Sequence, residues 1–193
     1  MTDALVLRRG ARPYPAESVE VRLLADGQPL LIRPLVAKDA ELLQDFVRGL
    51  SAGSRYQRFQ IGLRELSPDL LARLLAVDYR RRMAFVAVVS EHGYERMIGE
   101  ARYAPALNSS GATEFALAVS DARRRQGVGR LLFDHLLQYA ERNGIARIRG
   151  DILHENSAML ALARQFAFAP HRHPDGGWLT RVERTLGAMP IAA

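Results

Sequence analysis

A glycine-containing turn between a strand-like and a helix-like segment constrains the fold most strongly. The turn reads Arg124-Arg125-Gln126-Gly127-Val128-Gly129, and it joins an apolar run at 115–119 to a strongly periodic run at 128–139. Backbone amides at the start of a helix have no intrahelical partner and carry partial positive charge. A glycine turn that leads into a helix therefore favours an anion such as pyrophosphate. The sequence predicts an α/β fold with a phosphate-binding turn.

The spacing of this turn excludes two common phosphate-binding templates. No Gly-Lys-Ser/Thr follows, as the nucleoside-triphosphate template requires, and only two of the three glycines of the dinucleotide template are in register. The remaining pattern, Arg-x-x-Gly-x-Gly, resembles the acetyl-coenzyme A (acetyl-CoA) signature of the GNAT acyltransferase superfamily. The resemblance implies that the following residues bind acetyl-CoA: Arg124, Arg125, Gln126, Gly127, Val128, Gly129 and Arg130.

A second segment carries the same resemblance. Asn156 and the residues that follow it resemble the second GNAT signature, Asn-x-x-small/apolar-x-x-Leu-Tyr-x-x-x-Gly-Phe, with Met159 and Leu162 in register. The resemblance places Asn156 in the acetyl-CoA site. Ala163 stands where many members carry a tyrosine that protonates the leaving thiolate, and Ala167 replaces the usual glycine. Without that tyrosine, the thiolate would be protonated by water or leave as an anion.

Acetyl transfer to an amine needs a base or a proton path. A primary amine has a pKa of about 10.4, so only about one molecule in a few thousand is neutral at pH 7. Glu114 alternates with Ala116 and Ala118 on one face of an apolar strand, where the small neighbours leave room for a ligand. Glu100, in the preceding strand, is the second candidate. The alternatives are that Glu114 points into water at a strand end and that Glu100 forms an ion pair on an edge strand.

The strand at 113–119 also resembles the strand in which several protein-acetylating GNAT members carry their catalytic glutamate, which supports Glu114 by analogy. The same resemblance implies that a backbone amide near Ala118 or Val119 stabilises the oxyanion. His154 and His92 are plausible bases by their chemistry, but His92 falls in a turn signal, and the segment with His171 and His173 reads as a surface loop. No His-x-x-x-His spacing is present, so no metal site is predicted.

Two further segments narrow the resemblance. Residues 50–59 and 78–87 resemble the acetyltransferase domain of bacterial Pat-type protein lysine acetyltransferases. This implies an N-acetyltransferase that moves an acetyl group directly from acetyl-CoA to a protein lysine. A small-molecule amine N-acetyltransferase and a non-catalytic acyl-CoA-binding sensor are the alternatives. Segment 51–64 is either an amphipathic helical turn that packs Tyr56 and Phe59 inward or an acceptor-recognition segment at the mouth of the cleft.

Composition sets the remaining expectations. The chain of 193 residues is 48% hydrophobic, which suits one domain at 19–193 preceded by a flexible N-terminal arm at 1–18. It contains no cysteine, so a cysteine acyl-enzyme is excluded. It contains neither a membrane-length apolar run nor a signal-peptide pattern, so a cytoplasmic protein is expected. The net charge is +6, but the arginines are scattered without interleaved aromatics, so no specific nucleic-acid partner is predicted. A monomer and a homodimer both remain open.

The succession of elements completes the prediction of the fold. Two strands flank Asp26-Gly27, two helices follow, then three strands form a meander, and helix and strand pairs complete the chain. This order predicts an α/β protein. It fits the GNAT fold, which implies a mixed, mostly antiparallel central sheet with flanking helices and two splayed central strands that hold the acyl-pantetheine.

Overall fold

An eight-stranded sheet forms the centre of the structure, a computed structural model that describes residues 12–106, 112–174 and 176–187. Residues 1–11 of the expected arm lie outside these ranges. The strands are β1 Glu20–Leu23, β2 Pro29–Pro34, β3 Met83–Glu91, β4 Tyr94–Pro105, β5 Thr113–Val119, β6 Arg147–Leu153, β7 Ala169–Arg172 and β8 Leu179–Thr185. The α-helices are α1 Ala40–Gly49, α2 Ala52–Phe59, α3 Pro68–Leu75, α4 Val128–Arg142 and α5 Ser157–Gln165.

The strands lie in the order β1-β2-β3-β4-β5-β6-β8-β7. Neighbours pair antiparallel except β5 and β6, which are parallel and pair only at Thr113 with Ile148 and at Glu114 with Arg149. Beyond Glu114 the two strands separate, so the facing backbone edges leave a gap in the middle of the sheet. The prediction of a mixed, mostly antiparallel sheet with splayed central strands is confirmed.

Helices cover both faces of this sheet. The periodic run at 128–139 forms most of α4, and its apolar residues are buried against one face, together with residues of α5. Residues of α1, α2 and α3 pack with the opposite face in a second apolar cluster. Gly150 of β6 allows one close approach on the α4 face, because a Cβ there would lie 2.6 Å from the ring of Phe115. The Phe115 ring thus fills the space beneath β6 and leaves the other face of β5 to Glu114.

Several local expectations change in the structure. Strand β7 was not expected, because its residues are all exposed and give no apolar alternation. Tyr56 on α2 is exposed rather than packed inward, whereas Phe59 packs against the core as expected. Residues 12–18, assigned to the arm, contact the domain, since the Tyr14 ring lies 5.9 Å from that of Tyr79. No helix in the described ranges is long and apolar enough to cross a membrane.

Candidate active site

The gap between β5 and β6 opens into a cleft of about 180 Å³. Residues of α2 line it from one face of the sheet, and residues at the start of α5 line it from the other. Its walls combine charged, amide and small side chains, which suits a polar reaction more than an apolar ligand. The lining residues are Gln57, Arg58, Gln60, Glu114, Phe115, Ala116, Leu117, Gly150, Asp151, Ile152, Asn156 and Met159.

Glu114 lies where the two strands begin to separate. Its carboxylate accepts two hydrogen bonds from Arg149, from Nη2 at 2.7 Å and from Nε at 3.1 Å. Both bonds fall on Oε1, and within the described residues no donor is paired with Oε2. The Glu114 side chain is 39% exposed, so it lies in an open part of the cleft and is not sealed in an apolar strand. Arg149 orients one oxygen of the carboxylate and leaves the other accessible.

The backbone of β5 beyond Glu114 presents hydrogen-bonding groups to the gap. Ser120 N donates to Ile98 O of β4 at 2.8 Å. Because ladder bonds alternate along an antiparallel strand, the backbone groups of Val119 and Leu117 point away from β4 and toward the gap. The side chain of Ala118 packs on the opposite side from Leu117, in the cluster beneath α1. Of the two amides expected to stabilise an oxyanion, that of Val119 faces the gap.

The turn before α4 has the geometry of an anion cradle. Gly127 has a φ of 82°, and a Cβ there would meet nothing within 4 Å, so the turn is open on its outer side. Arg125 also has a positive φ, of 61°. Gly129 lies close to β5, since a Cβ there would be 3.4 Å from Val119 Cγ2. With the free amides of the first helical turn, these residues fit the pyrophosphate of acetyl-CoA.

Side chains of the turn make contacts that the sequence did not predict. Arg124 donates from Nη2 to Ser54 Oγ at 2.7 Å and lies 3.2 Å from Asp121. Gln126 Nε2 donates to the carbonyl of Ala122 at 3.3 Å. Arg130 donates to Gln165 of α5 at 3.2 Å. These contacts tie the turn to its surroundings, and Arg124 in particular joins it to α2.

Asp121 also connects the loop after β5 to α2. Its carboxylate accepts from Ser51 N at 2.8 Å and from Ser54 Oγ at 2.6 Å. Burial alone would raise the pKa of Asp121, but the bonds from Ser54 and Ser51 outweigh it and lower that pKa. The start of α2 is thus fixed to the loop that follows β5.

Asn156 has a structural contact of its own. Its side-chain Oδ1 accepts from Met159 N at 3.1 Å, so it caps α5 while it also lines the cleft. Ala163 is fully buried within the core, and no hydroxyl is present at that position. Ala167 has a φ of 57° just after α5, which explains why glycine is usual at this point in the signature.

Glu100 shares the sheet face of Glu114 but lies in a closed environment. It is 2% exposed and pairs with Arg102 through Oε1, while Arg58 Nη2 lies 3.3 Å from Oε2. Burial opposes ionisation, but the attraction of Arg102 and Arg58 outweighs it and lowers the pKa of Glu100. Glu100 is therefore an ionised centre of a buried cluster, hereafter the Arg58–Glu100–Arg102 cluster.

One histidine is placed differently from expectation. His173, expected in a surface loop, is 6% exposed, and its Nε2 lies 3.0 Å from Asp151 Oδ2. Arg181 donates to the same carboxylate from Nε and Nη2, each at 2.8 Å. His154 contacts Thr180 and the carbonyl of Gly177, and it is not among the residues that line the cleft. In the described ranges no group of three or more His, Asp or Glu side chains is placed to bind a metal.

Sequence reasoning did not single out five charged or amide side chains of this site: Gln57, Arg58, Gln60, Arg149 and Asp151. Gln60 donates from Nε2 to the carbonyl of Asp151 at 2.9 Å, and so bridges the cleft from α2 to β6. A signal for Arg58 was present in the sequence, because segment 51–64 was one proposed acceptor-recognition segment. Nothing in the sequence connected Arg149 or Asp151 to Glu114, because that proximity depends on the register of distant strands.

Comparisons with known proteins give a consistent result. Residues 51–168 match the model of the acetyltransferase (GNAT) family. An acetyltransferase of Pseudomonas aeruginosa, PA5475, is 38% identical over 155 residues, which cover 80% of this chain and 83% of the relative. The acetyltransferase Pat of Mycolicibacterium smegmatis is 27% identical over 157 residues, 81% of this chain but 46% of that protein. The crystal structure of the GNAT domain of S. lividans PAT superimposes with a TM-score of 0.79 at 28% identity, covering 90% of this chain and 100% of that domain.

Proposed function

The chain belongs to the GNAT acetyltransferase family and is an acetyl-CoA-dependent N-acetyltransferase, and we propose that its acceptor is the side-chain amine of a protein lysine, with Glu114 as the base. One observation carries the assignment of the base: Glu114 stands at the splay of β5 and β6 with one carboxylate oxygen accessible from the cleft. The likeness to the Pat of M. smegmatis and to the PAT domain of S. lividans supports a protein acceptor.

Acetyl-CoA supplies the thioester, and this chain's residues orient it. The amides of the turn at Gly127 and Gly129 would hold the phosphates, and the open backbone edge at Leu117 and Val119 would pair with the pantetheine arm. Asn156 would line the acetyl end of the same path. These assignments place the donor along the gap, with the acetyl group near Glu114.

Glu114 takes the proton of the acceptor amine, directly or through one water, as the amine nitrogen bonds to the acetyl carbon. The carbon–sulfur bond then breaks and coenzyme A leaves as a thiolate, which water protonates because position 163 holds alanine. The backbone amide of Val119 donates to the carbonyl oxygen as negative charge develops there. Glu100 serves as a structural counter-ion, since both its oxygens are engaged by arginines.

A small-molecule amine is the second candidate acceptor, and one observation favours it. The cleft is small and polar, with Arg58, Glu114 and Asp151 all on its walls. A compact acceptor that carries both a cationic amine and an anionic group would match these charges.

Labelled acetyl-CoA tests the acceptor class. The full chain is incubated with radiolabelled acetyl-CoA and a lysate of an acetyltransferase-deficient bacterium, and label is read on proteins and on the small-molecule fraction side by side. We expect label on one or a few protein bands that is absent with Glu114→Gln. Label confined to small amines would replace the protein acceptor with a metabolite, and label in neither fraction would contradict acetyl transfer.

A further inference from the structure

The Arg58–Glu100–Arg102 cluster contains two guanidinium groups and one carboxylate. All three side chains are largely buried, at 9%, 2% and 12% exposed respectively. Buried charges are normally paired and fully hydrogen-bonded, because water no longer solvates them. The cluster therefore carries one positive charge that Glu100 does not compensate.

The two arginines are not equally satisfied. Arg102 pairs with Glu100 and also donates from Nη1 to the carbonyl of Leu74 at 3.0 Å. Arg58 makes one long contact to Glu100, at 3.3 Å, and its buried Nε meets no acceptor among the described residues. Burial lowers the pKa of Arg58, and the attraction of Glu100 does not offset it. Arg102 also has one buried nitrogen without a hydrogen bond, Nη2, but that nitrogen is ion-paired with Glu100 Oε1. The buried donor that has neither a hydrogen bond nor an ion-pair partner among the described residues is Arg58 Nε.

Arg58 is also the member of the cluster that reaches the cleft. It lines the cavity together with Glu114 and Asp151, whereas Arg102 does not. Its helix, α2, packs on the sheet face opposite α4, whose N-terminal turn fits the phosphates. Although Ser54 at the start of α2 contacts Arg124 of that turn, no residue of the turn lines the cleft that Arg58 shares with Glu114, so an anion that meets Arg58 in the cleft comes from the acceptor.

Among the described residues, the other carboxylates that line the cleft have partners other than Arg58. Asp151 is engaged by Arg181 and His173, and Glu114 by Arg149. Each of these carboxylates already has its own cation on β6 or β8. Two charged groups therefore line the cleft. Glu114 is paired with Arg149 but keeps one accessible oxygen, and the positive charge of Arg58 is only partly compensated by Glu100.

We propose that Arg58 binds a carboxylate of the acceptor, so that the acceptor carries an acidic group close to the amine that is acetylated. Guanidinium groups pair with carboxylates through charge-assisted, directional hydrogen bonds, and Arg58 has donors to spare. The carboxylate has two sources that share this chemistry: an acidic residue beside an acceptor lysine, or the carboxylate of an amino acid. The inference rests on the proposed acetylation of a primary amine and specifies the acceptor of that same site.

Matched acceptor pairs test this inference with the full chain and acetyl-CoA. One pair is a lysine peptide with glutamate or glutamine next to the lysine, and the other is an amino acid or its amide. The kcat/KM for each is measured from released thiol, for the wild type, Arg58→Gln, Arg58→Lys and a control, Arg96→Gln, whose side chain is 72% exposed away from the cleft. We expect the wild type to prefer the carboxylate member of one pair by about tenfold or more. The preferred pair identifies the source.

The variants decide whether Arg58 is responsible. Arg58→Gln should abolish the preference, Arg58→Lys should keep part of it, and Arg96→Gln should keep all of it, with unfolding temperatures confirming that each variant folds. No preference in the wild type, or a preference that survives Arg58→Gln, would overturn the inference. Calorimetric titration of the same acceptors into protein saturated with coenzyme A separates the two proposals. If the carboxylate acceptors bind the wild type more tightly than Arg58→Gln but are not acetylated, only the proposed function is refuted. If they bind the wild type and Arg58→Gln equally well, this inference is refuted.

Discussion

Glu114 and Arg149 face each other in the last register pair that β5 and β6 form before they separate. The bond from Arg149 Nη2 to Glu114 Oε1, at 2.7 Å, lies at the vertex of the splay. The same pair therefore closes the sheet at one end of the cleft and orients a carboxylate at the point where acetyl transfer is proposed. The register of the two strands therefore sets the position of the proposed base.

Replacing Gly127 with alanine should weaken acetyl-CoA binding. The φ of 82° lies in the left-handed region, where a Cβ costs about 1 kcal/mol, although the space beside it is open. Relaxation of that strain would reorient the amides of the turn. We expect calorimetry to show a several-fold higher Kd for acetyl-CoA. Gly53→Ala is the control, because Gly53 has ordinary φ and open space, and an unchanged Kd in Gly127→Ala would contradict the phosphate assignment.

Removing the hydroxyl of Ser54 should affect acetyl-CoA binding through Arg124. Ser54 Oγ accepts from Arg124 at 2.7 Å and donates to Asp121 at 2.6 Å, and the residue is 6% exposed. Ser54→Ala removes one charge-assisted hydrogen bond from each partner, although Asp121 keeps its bonds from Ser51, and it should lower the free energy of unfolding by about 1–3 kcal/mol. It should also raise the Kd for acetyl-CoA. Ser67→Ala removes the cap of α3, so it should cost stability without changing that Kd; equal Kd values in the two variants would refute the coupling.

Ala167→Gly should stabilise the protein. Ala167 adopts a φ of 57° after α5, and Phe168 N donates to Ala163 O at 3.0 Å across this turn. Glycine relieves the left-handed strain, and we expect a gain of about 1 kcal/mol in the free energy of unfolding, measured in urea. Ala163→Gly, at a fully buried position within the same helix, should have the opposite sign. Destabilisation by Ala167→Gly would show that the turn is not strained.

Asp151→Asn should remove a pH-dependent part of the stability. Burial alone would raise the pKa of Asp151, but the bonds from Arg181 and His173 outweigh it and lower that pKa. A carboxyl group whose pKa is lowered by folding stabilises the fold at pH values above its pKa in the unfolded chain, which is about 3.9. This contribution disappears as the pH falls through the lower pKa of the folded state. Urea unfolding should therefore show the variant less stable at neutral pH. The difference should shrink below about pH 4, and a gap that is independent of pH would contradict this account.

The sequence predicted the elements that local patterns encode. The periodicity of α4, the turn at Gly127 and the alternation that places Glu114 beside Ala116 are all local, and they appear in the structure with small shifts of boundary. The splay came from family resemblance and not from periodicity, because nothing in β5 or β6 alone shows where their pairing stops.

The remainder of the site depends on contacts between distant segments. Arg149 meets Glu114 only because two strands 35 residues apart share a register. His173 lies directly after β7, whose exposed residues carry no strand signal, so its burial could not be predicted from the sequence. Arg58 belongs to a candidate recognition segment of the sequence. The incomplete compensation of its charge could not be predicted, because it depends on the positions of Glu100 and Arg102 in the folded chain.

The kinetics of Glu114→Gln test the central claim most directly. The variant keeps the shape of the side chain but cannot accept the proton, so kcat/KM for the acceptor should fall by about 100-fold or more while the Kd for acetyl-CoA stays unchanged. Glu41→Gln, an exposed glutamate of α1, should match the wild type. If Glu114→Gln transferred acetyl groups at the wild-type rate, Glu114 would not be the base and the proposed site would be wrong.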